Sequence, residues 1–237
     1  MDQSHASSPL AGAVHDLATE VVLALRSGDH LATVCGAAGI DEDNRTGIAA
    51  VRVIGADLLL PSVLYGRSPH PGDIAVLQRA VREFPPRPDA SDAAVWSHWG
   101  MMSALHRTAA ATAPGQPPAV PGTDEPNAAW LEQTPWQAFT HQLSVLAPLA
   151  VPAASSAVHR AAAHRVVDLS RGFVRAVRRR NWLQAAGAGR WLAALDGRPD
   201  SLGLDRGLDF VELMGGADPR VALHVRAARL TAEGRAR

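Results

Sequence analysis

A chain of 237 residues, 47% hydrophobic and 19% charged, has the balance of a folded protein and the length to bury one sizeable core or two small ones. Cys35 is the only cysteine, which excludes an intrachain disulfide and any zinc site that needs two thiolates, and fits a reducing, cytoplasmic setting. Net charge is zero, but residues 1–150 hold 8 Arg against 15 acidic residues and residues 151–237 hold 15 Arg against 8, so the two parts carry −7 and +7.

The polar N-terminal stretch MDQSHASSPL has no basic segment ahead of an apolar run, so no secretory signal is expected. Residues 47–66 are interrupted by Arg52, Asp57 and Pro61, and residues 143–158 by Pro148 and Pro152, so neither reads as a membrane span. All 23 basic residues are arginine, which reads as a bias of GC-rich coding rather than selection for 23 guanidinium contacts. Overall neutrality and the lack of a helix-turn-helix pattern argue against nucleic acid.

In chain order, Ser8-Pro9 opens a first helix, because a hydroxyl at N-cap precedes a preset φ at the first helical position. Leu10, Val14, Leu17, Val21 and Leu25 lay one apolar stripe along it, and Gly28 ends it. Asp29 is expected to cap a short helix through Leu31 and Val34. Asp43 or Asn44 opens a third through Ile48, Val51 and Ile54, which Pro61 ends or kinks. Helices over 71–84 and 91–113 follow, separated by the Pro85-Pro86-Arg87-Pro88 breaker.

The run PGQPPAVPGTDEPN over 114–127 reads as a connector between an acidic helical half, 1–113, and a basic helical half, 128–237, whether or not the two form one domain. Beyond it, helices are expected at 134–149, 153–180, 181–195 and 218–233. Thr134 with Gln137 makes a capping-box pattern, and Asp218-Pro219 opens the last helix. The expected fold is all-α: an orthogonal or bundle-like packing of about eight to ten helices. Residues 14–31 also align without gaps to 166–183, sharing Val14/Val166, Asp16/Asp168 and Leu17/Leu169 among others, as two αα-hairpins would.

Ten histidines make imidazole the leading candidate for chemistry. His98, with Met101, Met102 and Leu105, shares one face of its helix, with Trp99 and His106 at the edge. His98, His106 and His141 are therefore the candidate acid–base residues, and Trp96, Trp99, Trp136 and Met102 the candidate ligand wall. Five residues separate His159 from His164, which turns them away from a common metal. No His-Glu-x-x-His or Glu-x-x-His occurs, so no metal site is assigned. Asp41-Glu42-Asp43 reads as a helix start and Cys35 as a buried, inert thiol. The glycines at 187 and 189 follow no strand and precede no lysine, which removes phosphate-loop and dinucleotide readings.

Arg171, Arg175 and Arg178 fall on one helical face with Arg179 and Arg180 beside them, a stripe suited to phosphate, a carboxylate ligand or an acidic protein partner. Two functional expectations follow. One is a small-molecule protein, an enzyme of the kind used in specialised metabolism, with a His/Trp-lined apolar pocket. The other is a noncatalytic adaptor or regulator that docks an acidic partner on the arginine face. No cofactor is assigned, since haem on a single axial histidine has no motif behind it.

Overall fold

The computed structural model describes residues 8–28, 33–112, 124–152 and 155–235. Among them there is no strand, and ten α-helices have eight residues or more, so the all-α expectation holds. The N-terminal half comprises α1 (Pro9–Ser27), α2 (Val34–Ala37), α3 (Arg45–Ile54), a 3-10 turn (Gly55–Leu59), α4 (Leu60–Tyr65), α5 (Pro71–Glu83) and α6 (Asp92–Thr112). The C-terminal half comprises α7 (Trp130–Gln133), α8 (Trp136–Val145), a 3-10 turn (Ala147–Leu149), α9 (Ala157–His164), α10 (Val166–Arg178), α11 (Trp182–Ala194), a 3-10 turn (Asp200–Leu202), α12 (Leu204–Gly215) and α13 (Pro219–Arg235).

Several starts form as the sequence implies. Ser8 accepts from the Ala11 amide, Asn44 from the Gly47 amide at 2.9 Å, and Asp218 from the Arg220 amide at 3.0 Å. Asp29 and Leu31 lie outside the described residues, and α2 is opened by Thr33. Its hydroxyl accepts from the Gly36 amide and donates to Asp73 at 2.6 Å, which ties α2 to α5.

Other starts and stops differ. The Thr134 capping box does not form, because its hydroxyl donates back to the Trp130 carbonyl and α8 begins at Trp136. The helix expected over 153–180 is two, broken at Arg165, which leaves helical geometry at φ −122°. There its guanidinium donates to the carbonyls of Leu131 and Thr134, both at 2.8 Å, and bonds Asp168. The α10–α11 hairpin forms around Asn181, but α1 is followed by a helix of only four residues, so the internal echo does not extend past α1.

Two apolar cores result, one around Leu17, Val21, Ile48, Val51 and Leu77, the other around Phe139, Leu143, Phe173, Trp191 and Leu208. Each fully enclosed leucine contributes roughly 1.5–3 kcal/mol by leaving water. Helices α6 and α13 serve both: Trp96 and Val225 enter the second core, Met101 and Leu223 the first. Although last in sequence, α13 packs on α1 as well as on α11, and Arg226 donates to the Leu25 carbonyl at 3.2 Å. The acidic and basic halves of the sequence are thus in direct contact.

Helix α11 is the hub, surrounded by α8, α10, α12 and α13, with every residue from Ala185 to Leu195 buried. Alanine and glycine make this possible. A Cβ on Gly187 would stand 2.7 Å from the Ser144 carbonyl oxygen, so only glycine lets α8 and α11 approach this closely. The apolar run Arg45–Tyr65 is long and apolar enough to cross a membrane, but it is mostly buried within the fold and broken at Gly55.

Candidate functional site

The break at Gly55 creates the most unusual polar feature of the molecule. Gly55 adopts φ 65°, ψ −137°, a conformation open to glycine, and the chain leaves α3 for a 3-10 turn six residues before Pro61. That turn swings Asp57 inward, where it meets Arg190 from the middle of α11. The guanidinium donates to both carboxylate oxygens at 2.8 Å, and both side chains are 3% exposed or less. Such a fork-to-fork pair is the geometry in which arginine binds a carboxylate best.

Arg190 also donates through Nε to the Ala150 carbonyl at 3.3 Å, and its Nη1 lies 3.3 Å from Nδ1 of His224 on α13. Four of its five N–H groups are therefore directed at acceptors, which is what an enclosed cation requires. Arginine only donates, so Nδ1 of His224 accepts, and the neutral ring carries its proton on Nε2. Burial holds His224 down to about 4, outweighing the pull of Asp57, so the neutral form prevails at physiological pH.

His224 and Asp57 line a cavity of about 260 Å³ at the junction of the halves. Its apolar wall is Val53, Ile54, Val145, Leu183 and Leu223, and its polar wall adds His141, Ser144, Asn181, Gln184 and Arg220. Arg220 is held by Asp218 through bonds of 3.0 and 2.7 Å. Burial pushes the Asp218 carboxyl up, but the Arg220 bonds pull it further down, below its ordinary value. Both carboxylates near the cavity are thus matched by arginine, and the charge around it is close to neutral. The cavity is suited to a partly apolar molecule that accepts from the His224 Nε2–H and from the side-chain amides at the mouth.

A second hollow of about 580 Å³ adjoins the first and shares His141, Asn181 and Gln184 with it. Arg175 and Arg179 form its far side. Beyond them an open trough of about 680 Å³ runs past Trp136, Arg171, Arg175 and Arg178. Arg171 and Arg175 stack on the Trp136 ring, 4.9 and 5.6 Å from its centroid.

Of the three histidines expected to act together, only His141 borders this cavity. His98 and His106 are on α6, which contributes nothing to its lining. His98 is buried with Nδ1 unpartnered, and burial and the Arg52 charge lower its pKa; His106 buries Nε2 without a partner. Trp96 is enclosed, edge-on to Trp99, and donates to the Asn127 carbonyl, so it fastens the end of the connector. Trp99 borders a separate hollow with Arg107, Glu125 and Leu149, Met102 is half-buried on α6, and Trp136 supports the arginines. Cys35 is buried, and burial with the neighbouring Asp73 charge drives its thiol pKa up, as expected of an inert thiol. Among the described residues, no three His, Cys, Asp or Glu side chains gather as metal ligands.

Sequence reasoning missed Asp57, Arg190 and His224. Their signal is a lone charge inside an apolar run: Asp57 within Ala56–Leu60 and Arg190 within Ala185–Leu195. A charge so placed is either exposed or paired in the interior, and only the fold names its partner. No family model, curated protein or solved structure matches this chain, so the functional reading rests on its own geometry.

Proposed function

We propose that this protein binds a small, partly apolar molecule in the cavity where the two helical halves meet, in a cytoplasmic setting. The observation that carries the reading is the Asp57–Arg190–His224 network, drawn from three distant segments and reaching, through Asp57 and His224, a cavity with one apolar and one polar wall. The ion pair neutralises and stiffens that wall, and His224 offers one directed donor. His141, exposed at the mouth, is the imidazole able to exchange a proton with a bound molecule, which keeps an enzymatic role within the same reading.

The test is titration of the full chain with the neutral fluorophore N-phenyl-1-naphthylamine. Val53 is more than half exposed where it lines the cavity, so Val53→Trp fills the space without crowding the core. Saturable fluorescence enhancement that weakens at least about tenfold in this variant is the expected result. No enhancement with the native protein, or equal enhancement with the variant, refutes the reading.

A second reading, docking of an acidic protein on the α10 face, is supported by Val167 and Val174, exposed beside Arg171 and Arg178. Its measurement is binding of a labelled polyglutamate peptide. Capture should fall with added salt and with Arg178→Glu, and indifference to both removes the idea.

A further inference from the structure

We infer that the molecule bound in the cavity is an amphipathic anion, with its apolar body between Val53 and Leu223 and its carboxylate or phosphate head between Arg175 and Arg179. This rests on the small-molecule reading above and specifies its substrate class. Three observations lead to it.

The cavity and the adjoining hollow share His141, Asn181 and Gln184, so they meet at these three side chains and an elongated molecule lying across them reaches both. Charge across the two is uneven. At the inner end Asp57 is matched by Arg190 and Arg220 by Asp218, which leaves it neutral. The outer hollow has two guanidinium groups and no carboxylate on its wall. An anionic head is therefore drawn to the outer end, and the apolar body is left facing Val53, Ile54 and Leu223.

The two arginines also lack a carboxylate partner among the described residues. Arg165, Arg190, Arg220, Arg229 and Arg235 of the same half each hold a carboxylate, whereas Arg175 and Arg179 form no ion pair among the described residues. They stand one helical turn apart, at the last turn and the C-cap of α10, where the negative end of the helix tolerates both charges. Trp136 fixes the direction of Arg175 beneath its guanidinium. Asn181, the N-cap of α11, lines the same hollow, so the start of that helix adds positive potential there.

The experiment compares three eight-carbon probes by calorimetric titration of the full chain at low salt: octanol, octanoate and octyl phosphate. At least one anion should bind about tenfold or more tightly than octanol, and the stronger of the two identifies the head group. In Arg175→Gln/Arg179→Gln that advantage should disappear. Equal affinity for octanol and both anions, or an anion advantage that survives the double substitution, overturns the inference and leaves the cavity reading intact. Absence of binding by all three probes and by N-phenyl-1-naphthylamine overturns both.

Discussion

Arg190 on α11 and the arginines at the C-terminal end of α10 lie close in sequence and meet opposite environments. Arg190 is wholly enclosed, its charge matched by Asp57 and its donors directed at three acceptor residues. Arg175, Arg178 and Arg179 face open hollows and hold no carboxylate among the described residues. The contrast separates a charge built into the structure from charges left open to solvent. An enclosed guanidinium survives only where acceptors were fixed beforehand, while an exposed cluster costs little and keeps its binding capacity.

The largest effect expected from this contrast is on Asp57. Asp57→Ala strands the Arg190 cation in the interior and should remove about 3–5 kcal/mol from the unfolding free energy, read by urea denaturation. Asp57→Leu combined with Arg190→Met should restore most of that loss, because the desolvation of both charges is then relieved. A double variant as unstable as the single one would break the contrast.

The next effect is on pH dependence. His224 is held near 4 in the folded protein against its ordinary 6.5, so between those values the unfolded chain takes up a proton that the native protein refuses. Stability is therefore complete above pH 6.5 and falls as pH drops towards 4, by about 3 kcal/mol from this group. His98 and His159, also lowered by burial, act in the same direction. Comparing urea unfolding at pH 7 and pH 4.5 for the native protein and His224→Gln isolates the contribution, and identical pH slopes would contradict it.

Smaller changes probe the helix that carries Arg190. Gly187→Ala places a methyl 2.7 Å from the Ser144 carbonyl oxygen, an atom of the backbone that cannot rotate away, and should cost about 1–3 kcal/mol in chemical denaturation. Asn181→Ala removes the acceptor for the Gln184 amide at the start of α11 and should cost about 1 kcal/mol. The smallest effect belongs to the exposed cluster: Arg178→Gln should leave the melting midpoint unchanged, within about 0.5 kcal/mol. A large loss there would mean that the α10 arginines are structural after all.

Legibility in the sequence followed the range of the interaction. Ser8, Asn44 and Asp218 were readable as helix starts because a cap bonds an amide two or three residues away. Thr134 carries an equally good local pattern and failed, since its hydroxyl serves the end of α7 and its carbonyl serves Arg165. The arginine face was visible because α10 alone sets its spacing. His98 and His106 could be placed on α6, but not how far that helix lies from His141.

The sequence by itself determined an all-helical chain, most helix positions, the buried thiol and a positive stripe, because these depend on contacts within a few residues or on composition. Only the tertiary structure decided that Asp57 meets Arg190 across 133 positions of sequence, and that α13 brings His224 back to complete the network. The physical reason is that an interior charge states only that it needs a partner. Which partner is settled by how Gly55 turns the chain and how closely Gly187 lets α11 pack against α8.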